Sequence, residues 1–88
     1  MDTFLRFVAA GTCTETRDLT RKSDGAVWAW TAQIAYMGGV ASVIHRANRF
    51  GTFDLQAPVV GESYRLDGQV SIQGSQTQLV VESLSETE

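Results

Sequence analysis

Metal-ligating residues are scarce: the 88-residue chain holds one cysteine, Cys13, and one histidine, His45. Zinc wants three or four such ligands, and no clustered set of carboxylates replaces them, so no metal site is expected. The lone cysteine excludes an internal disulfide framework and suits a reducing compartment. No apolar run approaches the roughly 20 residues of a membrane helix. The opening "MDTFLRFVAA" has no basic segment leading into a secretory core. No serine stands in a G-x-S-x-G setting, and the glycines fall at turns and strand bends instead of cradling a phosphate. His45 reads as a surface or groove histidine, not a catalytic base. These absences lead to the expectation of a cytoplasmic, single-domain protein with no enzymatic activity, no cofactor and no membrane contact.

Excess positive charge is lacking too. The formal charge is −3, which argues against nucleic acid, since phosphate binding needs positive surface. The distribution softens the objection. Glu82, Glu86 and Glu88 lie at the end, so residues 1–81 carry seven basic and seven acidic side chains. Within that neutral body His45, Arg46 and Arg49 form a stretch free of acid. Arg17, Arg21 and Lys22 sit together, interrupted only by Asp18.

What is present is strand signal. "TFLRFVAAGTCTET" is apolar and β-branched, with Gly11 a bulge or bend, and reads as a long first strand. "RDLTRKSDGA" is polar, ends in Asp24-Gly25, and reads as a loop or hairpin tip. In "AVWAWTAQIAY" the even positions from Trp28 to Tyr36 are apolar, giving strand two, and Gly38-Gly39 makes the next turn. "VASVIHRANRFG" fits either a β-branched third strand or a helical stripe of Val40, Val43, Ile44 and Ala47. The strand is preferred because it completes a barrel. "GTFDLQAPVVG" connects, and "YRLDGQVSIQ" alternates without fault. Gly74-Ser75 turns into "QTQLVVESL". The expected fold is therefore all-β: a small five-stranded, OB-fold-like Greek-key barrel over residues 1–84, with 85–88 an acidic, frayed end.

Trp28 and Trp30, two positions apart, pose the functional question. Large aromatics at strand spacing are usually core. An exposed one stacks on a nucleobase, a contact worth roughly 1–3 kcal/mol and indifferent to sequence. The polar segment with Arg17, Arg21 and Lys22 leads directly into Trp28, so cationic groups and an aromatic lie close together, as a single-strand groove requires. The expectation is a divided face: Trp30 and Ile34 pack the barrel, and Trp28 projects into the groove beside the hairpin tip.

The chain resembles the single-stranded DNA-binding proteins of filamentous bacteriophages. "TRDLTRKSDGAVWAWTAQIAYMGG" is similar to that family's arginine-bearing hairpin followed by aromatic–x–apolar–x–x–Gln–apolar–x–Tyr, with Trp28, Trp30, Gln33, Ile34 and Tyr36 in those positions. "GESYRLDGQVSIQGSQTQLVVESL" resembles its closing hairpin. Together the two segments cover roughly half of the chain. The resemblance implies that Trp28 stacks on bases, that Arg17 and Arg21 contact phosphate with Lys22 beside them, and that Tyr36 and Arg46 belong to the binding surface. It also implies a homodimer that coats replicating phage or plasmid strands in a bacterial cytoplasm, and the apolar "QLVV" would suit a symmetric interface. Departures are a shorter connection after Tyr36, Ile72 and Gln73 where the family carries an aromatic, and the acidic end. Two rival readings stand beside this one: a small β-barrel protein-interaction module of a replication or phage assembly, and an RNA-binding domain.

Overall fold

The computed structural model describes residues 5–87. Five strands follow one another: β1 (Leu5–Thr20), β2 (Val27–Tyr36), β3 (Gly39–Arg46), β4 (Ser63–Gln73) and β5 (Gln76–Glu86). They form one closed sheet in the order β1-β2-β3-β5-β4, with β4 returning to β1. This is an OB-like barrel, and the described residues include no helix. Residues 3 and 4 of the expected first strand lie outside the described residues, as does Glu88 of the acidic end.

One strand serves two neighbours. The first half of β1 pairs with β4 as far as Thr12, and the second half pairs with β2 from Thr12 to Thr20. The chain turns the corner at Gly11, where a Cβ would collide with the Ala35 carbonyl oxygen. A bulge at Thr14 completes the bend, because Cys13 faces Ile34 and Glu15 already faces Gln33.

The barrel interior follows the period-two pattern of the sequence. Trp30, Ala32 and Ile34 of β2 meet Cys13, Val43, Tyr64, Leu66 and Val81. Burial pushes the Cys13 thiol above its ordinary value. His45 continues the inward series from Val43 and is buried, not on the surface or in a groove as expected. Its ring lies 5.5 Å from that of Trp30 and 6.2 Å from that of Phe53.

The closing seam between β3 and β5 is short. Its parallel ladder consists of Val43–Leu79 and Ile44–Val80. Side chains extend it: His45 Nδ1 donates to the Val81 carbonyl at 2.9 Å, and Arg46 donates to Gln78 Oε1 at 2.7 Å. "QLVV" therefore closes the barrel instead of standing free, since Val81 is core and its three predecessors are half-buried.

Several boundaries differ from the sequence reading. β1 runs on to Thr20, because residues 17–20 find ladder partners on β2 despite their polarity. β3 ends at Arg46, so residues 47–50 are not strand. The β2–β3 turn is Met37-Gly38, and Gly39 already pairs with Tyr36. Gly38 makes room for the Tyr36 ring, where a Cβ would stand 2.7 Å from a ring carbon. At the other end β5 continues past residue 84, since Glu86 pairs with Tyr64 and the Thr87 N–H donates to the Ser63 carbonyl at 3.0 Å.

The segment 47–62 covers one end of the barrel without regular structure. Phe53 and Leu55 pack on the core. Trp30 Nε1 donates to the Leu55 carbonyl at 3.0 Å, and the Val59 N–H donates to the Tyr64 hydroxyl at 2.8 Å. Trp30 is thus both core and clasp.

Candidate nucleic-acid interface

Parity would put Trp28 beside Trp30, inside the barrel. A second bulge prevents it. Leu19 faces Ala29 and Thr20 faces Val27, so Trp28 is the extra residue of β2. Its carbonyl accepts the Ala47 N–H at 2.9 Å, which ties the bulge to the end of β3. Trp28 is 36% exposed, against 3% for Trp30.

The indole lines a cleft of about 300 Å³ together with Arg21, Val27, Arg46, Ala47, Asn48, Arg49 and Gly51. Each arginine arrives by a different route. Arg21 follows the last residue of β1 and opens a tight tip, in which its N–H donates to the Ala26 carbonyl at 2.9 Å and its carbonyl accepts the Gly25 N–H at 2.8 Å. Arg46 ends β3, steadied by Gln78. Arg49 stands on the turn that follows. Among the described residues no acid lines the cleft. The nearest ion pair is Arg21 Nε to Asp24 at 3.8 Å, with both side chains more than half exposed. Such a pair contributes little and leaves the guanidinium available to a stronger anion.

The outer face of β1, β2 and β3 continues from this cleft. Leu19, Ala29 and Arg46 form one cross-strand row, Arg17, Thr31 and Ile44 the next, and Glu15, Gln33 and Ser42 a third. Two shallow grooves over this face share Leu19, Thr31 and Ser42. One of them reaches Gln78, the partner of Arg46. A cationic, aromatic cleft therefore opens onto a face of hydroxyl, amide and apolar groups that also carries the Arg17–Glu15 ion pair and in which Ala29 and Ile44 are buried.

Of the sequence-predicted site residues, Arg21, Trp28 and Arg46 come together. The others do not join them. Arg17 sits in β1 opposite Thr31 and pairs with Glu15 at 3.3 Å, so it lies on the outer face with a counter-ion of its own. Lys22 is exposed in the tip but does not line the cleft. Tyr36 stands at the far end of β2, eight residues from Trp28, about 26 Å along the strand. The tip itself is the six-residue connection 21–26 just described, shorter than the ten-residue loop read from "RDLTRKSDGA".

Sequence reasoning missed Asn48 and underused Arg49. The signal was present in "HRANRFG": an asparagine followed three residues later by glycine is a turn pattern, and it carries the acid-free stretch back toward Trp28. Among the described residues no group of three or more His, Cys, Asp or Glu is placed to hold a metal ion. In comparisons with known proteins, no protein-family model matches the chain and no curated protein matches it.

Proposed function

We propose that this protein binds single-stranded DNA with little sequence preference, without catalysing a reaction, and that it works in phage or plasmid replication in a bacterial cytoplasm. The single observation that carries the binding reading is the Trp28 bulge, which presents an indole in a cleft with three arginines and no acid. Charge there holds phosphates while the ring holds a base, and every base offers a π-face, so sequence matters little. Arg21, Arg46 and Arg49 are the proposed phosphate contacts, and Arg17 and Lys22 are secondary ones. The net charge of −3 is unevenly spread: three arginines line the cleft, while Asp67 and Glu82, outside it, share Arg6.

A fluorescence titration with poly(dT) tests the reading. Trp30 is buried and its N–H is engaged, so the change should come from Trp28 and should weaken as salt rises. Binding that is absent, or indifferent to salt, overturns it. Tighter binding to poly(U) than to poly(dT) would favour RNA as the natural strand.

The reading includes a homodimer. "QLVV" pairs in the barrel seam with three of its residues half-buried, and the β2–β3 tip offers a second apolar surface in Tyr36, a fully exposed Met37 and Val40. The same tip favours the second reading, a protein-interaction module. Sedimentation of the unmodified protein and of Met37→Asp separates a self-associating tip from one that needs another protein.

A further inference from the structure

Phe50 is among the most exposed large apolar residues of the chain, at 75%. An aromatic left in water is ordinary when it dangles from a loose loop. Phe50 does not. Asn48 ties its turn through both side chain and backbone. Its Oδ1 accepts the N–H groups of Phe50 at 2.9 Å and Thr52 at 3.2 Å, and its Nδ2 donates to Thr52 Oγ1 at 2.7 Å. Its backbone N–H donates to the Thr52 carbonyl at 2.8 Å, and its carbonyl accepts the Gly51 N–H at 2.9 Å. The turn is a small fixed platform.

Its place in the fold gives that platform a direction. Asn48, Arg49 and Gly51 all line the Trp28 cleft, so the Phe50 backbone runs along its edge although its side chain is not part of the lining. The Arg49 guanidinium lies 4.8 Å from the centre of the Phe50 ring, within range of a cation–π contact. That contact orients the ring and holds a positive charge beside it, while most of the ring remains in solvent. Ring and charge together form the same pair of elements found at Trp28 with Arg21 and Arg46.

We infer that Phe50 is a second base-stacking position, so that the cleft binds a strand of at least two nucleotides, with one base on Trp28, another on Phe50, and the intervening phosphates on the arginines between them. This rests on the single-strand reading above and extends it from one contact to a track. The occupant is single-stranded nucleic acid because the Phe50 ring is joined to an acid-free cationic cleft, which a purely apolar protein contact would not need.

The test compares the unmodified protein with Phe50→Ala, Phe50→Tyr, Phe50→Leu and Trp28→Ala on oligo(dT) of increasing length. Phe50→Ala should weaken binding of long oligo(dT) by roughly 5- to 150-fold, the worth of one stacked base. The loss should shrink for the shortest oligonucleotides that still bind, since these reach Trp28 alone. Phe50→Tyr should restore affinity, whereas Phe50→Leu, apolar but without a ring, should not. Melting temperature should hold throughout, because the ring contributes almost nothing to the core. Loss of binding in Trp28→Ala with normal binding in Phe50→Ala overturns the second platform and leaves the single-strand reading standing. Full rescue by leucine, or loss of self-association in Phe50→Ala with DNA binding intact, makes Phe50 a protein contact and overturns it as well. An unmodified protein that does not bind oligo(dT) overturns both.

Discussion

The one polar group of the Trp30 side chain is met by the protein. The ring is 3% exposed, its N–H is bonded to the Leu55 carbonyl, and its neighbours are Cys13, Ile34, Val43 and Leu66. Two residues earlier the Trp28 ring is 36% exposed, and the cleft it shares with Arg21, Arg46 and Arg49 is lined by no acid among the described residues. Both residues are tryptophans on one strand with the same parity. What separates them is one extra residue in the ladder between Leu19–Ala29 and Thr20–Val27. A bulge near a strand end rotates a side chain that the period-two pattern would bury, and thereby turns a core residue type into a surface tool.

The largest expected effect breaks the interior side of that comparison. Trp30→Ala removes a buried indole and its clasp on segment 47–62, and should cost about 3–5 kcal/mol of stability, a large share of what a small domain has. Denaturant melts measure it. The Cys13 thiol is free and buried, so it should resist thiol reagents in the unmodified protein and become reactive in this variant as the interior opens. Stability unchanged by Trp30→Ala would mean that the two rings are not differently placed at all. Next in size is Trp28→Ala, expected to weaken poly(dT) binding by roughly 1–3 kcal/mol with little change in melting temperature. A variant that melts early yet binds normally once folded would make Trp28 ordinary core.

Legibility in the sequence differs along the chain. The strands are readable because their inward positions repeat every second residue: Tyr64, Leu66 and Val70 in β4 are the plainest case. Residues 40–50 are ambiguous because Val40, Val43, Ile44 and Ala47 satisfy both periods, and only barrel closure favours the strand. His45 is misread because one polar residue does not reveal that its parity follows Val43 inward, nor that Val81 offers a carbonyl across the seam. Trp28 can be distinguished from Trp30 by its nearness to Gly25, whereas the ladder slip that exposes it depends on pairing with Leu19 and Thr20, which no local pattern encodes. Arg17 and Tyr36 group with Trp28 only if adjacency in sequence stands for adjacency in space. On an extended strand a few residues already separate side chains by more than about 10 Å.

The arginines repeat the comparison in charge. Arg21, Arg46 and Arg49 face the cleft. Replacing all three with glutamine should flatten the plot of log affinity against log salt by about 2, at about 0.7 for each phosphate of the single strand that no longer meets a cation. An unchanged slope would place the groove elsewhere. Arg17, already paired with Glu15, should change the slope by less than one such step when replaced alone.

The smallest effect is expected at Arg6, and it sharpens the contrast most. Arg6 has the same side chain as Arg46 but reaches across the sheet to Glu82 at 2.8 Å and to Asp67 at 3.5 Å. A phosphate approaching it would have to displace one carboxylate and be repelled by the other. Arg6→Gln should therefore leave both poly(dT) affinity and its salt slope unchanged. All three side chains are substantially exposed, so solvent screens the pairs, and their removal should change stability by about 0–1 kcal/mol. The two measurements answer separate questions. If the slope falls by about 0.7 in Arg6→Gln, as it should for a cleft arginine, then Arg6 does reach phosphate. The placement of acids would then not be what selects the binding face. If the slope holds in Arg6→Gln and falls in Arg46→Gln, the same residue type has been divided into structural and binding roles by its carboxylate neighbours alone.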